Sequence, residues 1–465
     1  MTVNAQKQKM STKSLVAWIM TIGLPLAILL IPTNEVFTSQ IRMFLAITIM
    51  AIICYAFDNV NSTVVSFLLP VLYCVFQLAD TSQAFSPWTT TIPWLIIGGL
   101  IFANVLDRIG FLKRVAYRCI ALFGGSYRGI LIGLGVTGCV MQVIIPGQMT
   151  IPFAALSFGI CSALNLGKSK ASAGIMLTAA IGALLPQLII YEPGIYFRVG
   201  IAQPATGPIT IGWLDYFLKN AVTLVFLFGT ILAYSVIFKP DKPLDGRKYF
   251  IDQYKALGTM SLEEKKGAVA CALLLISLLT LDFHKIEAAW CFVMIAMLLF
   301  LPGMNIGTKE DLVNTDYGFL FFATACMSIG TVASGLGIGK IVSDAALPYL
   351  VDKSPSFFLI FVWLLCVVLN FLLTPLAVTA AFSLPLAQIA VDLGINPWCL
   401  HFVMMHGLDQ IIFPYEYGLY LIYFSFGLIH LKDFAKAMGV KMLINGVFVV
   451  LLLIPFWKLV GFLYL

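Results

Sequence analysis

Eleven apolar runs alternate with short polar stretches along the chain, near positions 15–32, 40–57, 62–79, 92–106, 172–190, 214–238, 267–281, 286–302, 315–335, 397–412 and 435–462. A helix rises about 1.5 Å per residue and a bilayer core is about 30 Å thick, so runs of this length predict spanning helices. Between them, Asp107 to Arg118, with Lys113 and Arg114, is amphipathic and too charged to span, and is expected in the interface. Two further apolar stretches, 131–166 and 356–393, are interrupted midway by Pro146-Gly147 and by Thr374-Pro375. Each reads either as a re-entrant hairpin or as two short spans. The runs at 172–190 and 397–412 also end in breaks, at Pro193-Gly194 and over Pro414 to Gly418. A break at membrane depth frees backbone N–H and C=O groups, which is tolerable only where protein or a polar cavity satisfies them.

The interruptions repeat. Pro146 and Thr150 have counterparts at Pro375 and Thr379, both offset by 229, and Gly110 and Lys113 match Gly337 and Lys340 at 227. Glu192 follows the first broken segment and Glu416 the second. If both broken segments return to the side they entered, eleven spans remain, with the N-terminus inside. Then 21 of the 28 Lys and Arg, Lys441 among them, fall on the cytoplasmic side, and seven (Arg42, Arg198, Lys219, Lys285, Lys340, Lys353 and Lys458) fall outside. That bias supports the orientation. An odd number of spans separates the halves, so the repeat is inverted, and paired breaks in such repeats point to a substrate site near the midplane.

Composition moves the chain away from soluble proteins: 60% of residues are hydrophobic and 11% charged, where soluble domains carry about a quarter charged. Lys7, Lys9 and Lys13 precede the first run as in a signal peptide, but Leu15 to Ile31 is too long for an h-region and lacks a small-residue cleavage site, so a retained first helix is expected. Ten cysteines without CxxC spacing read as small hydrophobes. The net charge of +6 is accounted for by the sidedness, and no nucleic-acid partner, cofactor or metal is expected. Gly330, Gly335, Gly337 and Gly339 lack the Lys-Ser/Thr of a phosphate loop and fit close helix packing. No nucleophile and base are recognisable, which argues against an enzyme.

Inverted halves, each with a broken hairpin and then an interrupted helix, resemble the divalent anion/sodium symporter (DASS) family of di- and tricarboxylate carriers. Local matches include Trp94 to Lys113 and Ile211-Gly212-Trp213-Leu214 leading to Phe238-Lys239-Pro240. The resemblance implies a homodimer in which a scaffold holds an elevator-like transport domain comprising both hairpins and both interrupted helices. The chain then divides into scaffold helices of repeat 1 (1–125), hairpin and interrupted helix of repeat 1 (126–238), a cytoplasmic loop (239–266), scaffold helices of repeat 2 (267–353) and the second hairpin, interrupted helix and last helix (354–465). The family's Ser-Asn-Thr hairpin tips are here Pro146-Gly147-Gln148-Met149-Thr150 and Thr374-Pro375-Leu376-Ala377-Val378-Thr379. Sodium coupling is therefore in question, and the coupling ion is H⁺, Na⁺ or none.

At the expected site, half-helix N-termini offer N–H groups and partial positive charge to an anion. Gln148, Thr150, Thr374 and Thr379 would add neutral donors beside Pro146, Gly147, Pro375, Gly194 and Gly418. The alternative for the threonines is bonding back to their own helix. Glu192 and Glu416 admit three roles: carrying a proton, holding a coupling cation, or bracing the break, with Arg198 and His406 as partners. His406 and Asp409, at i,i+3, are placed to touch, on a helix that also carries His401. The leading expectation is an all-α carrier of C4 or C5 dicarboxylates in the cytoplasmic membrane, working by sodium-independent exchange. Proton- or sodium-coupled symport of another organic anion or of an amine-bearing substrate is the alternative, and a passive channel the competing class.

Overall fold

The computed structural model describes residues 12–465 other than 58, 124, 148, 193, 241–243, 245–246, 316, 339–340, 342–343, 346–347, 350–352 and 372. Gln148 and Lys340 thus lie outside the described residues. Helices carry the whole fold: α1 (Thr12–Leu29), α2 (Ser39–Phe57), α3 (Ser62–Val75), α4 (Ile92–Arg108), α5 (Phe111–Leu122), α6 (Tyr127–Ile144), α7 (Thr150–Ala163), α8 (Lys170–Leu184), α9 (Ile195–Thr206), α10 (Trp213–Asn220), α11 (Thr223–Ile237), α12 (Leu262–Leu279), α13 (Ala288–Leu298), α14 (Gly318–Gly335), α15 (Pro355–Asn370), α16 (Pro375–Asp392), α17 (Pro397–Leu408), α18 (Gly418–Ser425) and α19 (Leu431–Phe448). Each of the eleven expected spans coincides with one or more of these helices. Among the described residues, five helical stretches are long and apolar enough to cross a membrane, two of them (Tyr127–Ile144 and Pro375–Asp392) arms of the broken segments, or seven if two bent pairs each count as one span. The chain is an all-α polytopic membrane protein.

The outer surface is apolar in helical stripes: Val64, Phe67, Leu68, Val71 and Val75 on α3, and Phe357, Phe361, Leu364 and Val368 on α15, are exposed. Such stripes suit lipid contact. The amphipathic segment after α4 is the separate helix α5, bent 73° from α4. It is held by Arg114, whose guanidinium donates to Glu264 (2.8 and 3.0 Å) and to the carbonyls of Gly258 and Leu257.

The helices leading into the two breaks are the ones buried all round: every residue of α8 from Ala171 to Leu184, and every residue of α17. Small residues make this depth possible. Gly138 on α6 faces the Gly182 carbonyl on α8 so closely that a Cβ would not fit, and Gly330 on α14 meets the Ile201 carbonyl on α9 in the same way. Packing then crosses between the halves. The helix after the first break, α9, packs on α16, the second arm of the second broken segment. The helix after the second break, α18, packs on α7, the second arm of the first, and the Tyr423 hydroxyl donates to the Thr150 carbonyl at 3.0 Å. The two broken segments and the two breaks are thereby brought into one region.

Candidate functional site

At the first tip the chain turns through Gly147, at φ +75°, a conformation that favours glycine. The Gly147 N–H donates to Gln142 Oε1 at 3.1 Å, while Gln142 Nε2 donates to the Tyr191 carbonyl at 3.3 Å and reaches Glu192 Oε2 at 3.5 Å. Glu192 Oε1 accepts from the Gly194 N–H at 2.9 Å. One amide side chain therefore ties the first tip to the first break, and the Glu192 carboxylate lies directly under Gly147.

The second break is organised the same way. Asn370, at the end of α15, donates through Nδ2 to the carbonyls of Gly407 (3.3 Å), Leu408 (2.9 Å) and Gln410 (3.0 Å) at the end of α17. Asn370 lies 228 positions after Gln142, one short of the offset between the tips, so both repeats place an amide near the end of the first arm. Glu416 accepts from the backbone N–H groups of Ile412 (3.0 Å) and Phe413 (3.1 Å). Each glutamate thus braces its own break through backbone donors.

Several expected partners differ. Glu416 turns to the backbone and not to His406, whose Nδ1 sits 2.9 Å from Asn445 Nδ2. Asp409 does not meet His406; its carboxylate takes Lys441 Nζ at 2.7 Å and the Tyr420 hydroxyl at 3.0 Å. Lys441, counted above with the cytoplasmic charges, has a side chain that is 0% exposed. Its position near the start of an apolar run, after Lys432 and Lys436, hid this, because lysines there read as snorkelling anchors. Thr379 donates to the Pro375 carbonyl at 2.9 Å, back to its own helix, and Thr374 caps α16 by accepting from the Ala377 N–H at 3.3 Å. Pro375 occupies the first turn of α16, where its missing N–H costs nothing.

Arg198, on α9, makes no hydrogen bond or ion pair among the described residues, and its Nε is buried. It sits four residues after Gly194, on the helix that packs against α16. The ion pair expected with Glu192 is not formed.

Beside the first tip lies a cavity of about 730 Å³, bounded by Gly147, Met149 and Thr150, by Leu419 and Ile422 of α18, and by Asn104, Asp107, Lys113 and Tyr117 of α4 and α5. Pro146, next to Gly147, is buried. Gln142, Asn370 and Lys441 are the members that hydropathy reading passed over.

A family model described as "Sodium:sulfate symporter transmembrane region" matches residues 12–463. The chloroplastic dicarboxylate transporter 1 of Spinacia oleracea is 25% identical over 288 residues, 57% of this chain and 48% of the relative. Its counterpart from Arabidopsis thaliana is 25% identical over 206 residues, 39% of this chain and 35% of the relative. The chain thus matches about half or less of the length of these two. The sodium-dependent dicarboxylate transporter SdcS of Staphylococcus saprophyticus is 24% identical over 394 residues, 77% of this chain and 74% of the relative. Among solved structures, the Alcanivorax borkumensis YdaH transporter, whose crystal structure is described as revealing an unusual topology, superposes with a TM-score of 0.60 over 97% of this chain and 99% of that one, at 12% identity. That likeness is one of fold.

Proposed function

The chain belongs to the sodium:sulfate symporter transmembrane-region family, and from that premise we propose that it is a secondary carrier of C4 or C5 dicarboxylates, working by sodium-independent exchange in the cytoplasmic membrane. The observation that carries the reading is the cavity at the first tip. Its volume falls in the usual range for small-ligand sites, and its polar lining is mixed: Thr150, Asn104 and Tyr117 are neutral donors, Lys113 is a cation and Asp107 an acid. Arg198 supports an anionic substrate, since a guanidinium with no partner among the described residues, on the helix that starts at the first break, is a bidentate partner for a carboxylate. Bracing by backbone N–H groups keeps the two glutamate charges directed at their own breaks, which lessens their repulsion of a dianion.

The names of the relatives support the substrate class. The site residues we assign are Gly147, Gln148, Thr150, Arg198 and the starts of α9 and α18 at Gly194 and Gly418, with Thr374, Pro375 and Thr379 shaping the second tip. A homodimer with the N-terminus in the cytoplasm accompanies the reading. A second reading, sodium-coupled symport, is favoured by one observation, the sodium dependence in the name of SdcS. The test is a thermal-shift panel on purified protein with succinate, malate, 2-oxoglutarate, sulfate and lysine. Stabilisation by the dicarboxylates alone is expected, with loss of the shift in Arg198→Leu; stabilisation by lysine and not by the acids would overturn the reading.

A further inference from the structure

Lys441 lies among oxygens at the C-terminal end of α17. Its Nζ donates to Asp409 Oδ2 (2.7 Å), to the Tyr420 hydroxyl oxygen (2.9 Å) and to the Asp409 backbone carbonyl, so all three of its N–H bonds are used. The Tyr420 hydroxyl in turn donates to Asp409 Oδ1 at 3.0 Å. The ammonium is fully buried, and its Nζ is 4.7 Å from the Tyr420 ring centre. A carboxylate, a phenol and a half-helix C-terminal carbonyl form the all-oxygen surroundings that a hard monovalent cation takes, and broken helices of carriers present such ends to coupling cations.

The neighbouring carbonyls are occupied as well. His406 O accepts from Gln410 Nε2 (2.7 Å), and Gly407, Leu408 and Gln410 accept from Asn370 Nδ2. With Asp409, five consecutive carbonyls at the end of α17 are each bonded to a side-chain donor of this chain.

We propose that Lys441 is a tethered replacement for a coupling cation: its ammonium permanently fills the cation position at the second break, so that this position takes up no free Na⁺. The proposal deepens the carrier reading and rests on it for its functional meaning, but its first test needs no substrate. The melting temperature of the purified full chain is measured with choline and with sodium at constant ionic strength, for the wild type, Lys441→Ala and Lys441→Met.

The wild type is expected to melt at the same temperature in both salts, and Lys441→Ala, with Asp409 left unpaired beside an open space, to melt lower in choline and to recover in sodium. Lys441→Met, whose side chain fills the space, is expected to gain less from sodium than Lys441→Ala. A sodium-dependent rise in the wild type overturns the proposal even if neither variant folds. So does a Lys441→Ala protein that is folded and indifferent to sodium. In proteoliposomes containing succinate on both sides, exchange by the wild type is expected to be equal in the two salts, with exchange lost in Lys441→Ala in choline and partly restored by sodium. Failure of succinate exchange in every protein, with the melting pattern intact, would count against the dicarboxylate reading and leave the assignment of Lys441 standing.

Discussion

Alanine at position 147 meets two penalties that neighbouring variants separate. The backbone there has φ +75°, where an L-residue costs roughly 1–2 kcal/mol. A Cβ would also lie 2.8 Å from Glu192 Oε1 and 2.9 Å from Oε2. The carboxylate is the end of a flexible side chain and moves aside, but it then gives up the Gly194 N–H at 2.9 Å, and a hydrogen bond to a charged group is worth about 1.5–3 kcal/mol. The sum is roughly 2.5–5 kcal/mol against the arrangement that joins tip and break, a fall in its population of about fiftyfold or more. Gly194→Ala isolates the second part. Its φ of −64° accepts alanine, yet its Cβ would come 2.6 Å from Glu192 Oε1. Exchange rate in proteoliposomes and melting temperature of the purified protein are the two readouts. Gly147→Ala should be worse than Gly194→Ala in both, and Glu192→Ala in the Gly147→Ala background should not restore function, because the strain remains and the brace is gone. Wild-type behaviour of Gly147→Ala, or a Gly194→Ala variant that is the worse of the two, would refute the reasoning.

Three further outcomes are expected. Asn370→Leu strips the side-chain donor from three carbonyls at the end of α17, of which Gly407 O keeps the Gln410 N–H; each buried unmet group costs about 1–3 kcal/mol, so the variant should melt well below the wild type, while an exposed apolar control such as Leu443→Ala should not. Thr150→Ala should reduce exchange more than Thr379→Ala, because Thr150 lines the cavity whereas the Thr379 hydroxyl is spent on Pro375; equal effects would remove the cavity from the site. The Glu264 carboxyl is held below its ordinary value of 4.5, chiefly by Arg114, and its folded value is therefore lower than its unfolded one. Its contribution is complete above about pH 4.5 and lost as pH falls through the depressed value, so Glu264→Gln should lower the melting temperature at neutral pH and flatten the acid limb of the stability curve.

Most of the fold was legible because hydropathy, Pro/Gly interruptions and an inverted repeat each leave a mark on one dimension. The breaks at Gly194 and Gly418 and the separate helix bent away after Arg108 are of this kind. The polar core was not legible to the same degree. Gln142 and Asn370 did leave a signal, an offset of 228 beside the 229 of the tips, but a lone amide in an apolar run carries no label for what it bonds. The partners of Asp409 depend on how α19 lies across the second break, a tertiary fact with no local periodicity. Proximity along one helix suggested His406 for Asp409; a lysine 32 positions away won, because an ionised carboxylate in a buried place is met best by a full opposite charge. Glu192 and Glu416 stood out by their places at the breaks, while their partners, backbone N–H groups freed by the breaks themselves, follow from geometry that only folding supplies.

The most direct test of the carrier account is uptake of labelled succinate into proteoliposomes that are either empty or preloaded with unlabelled succinate, each with and without sodium. The account predicts uptake only into preloaded vesicles and no response to sodium. Sodium-driven accumulation in empty vesicles would contradict the exchange mechanism, and no uptake under any condition would contradict the assignment of dicarboxylates as its substrates.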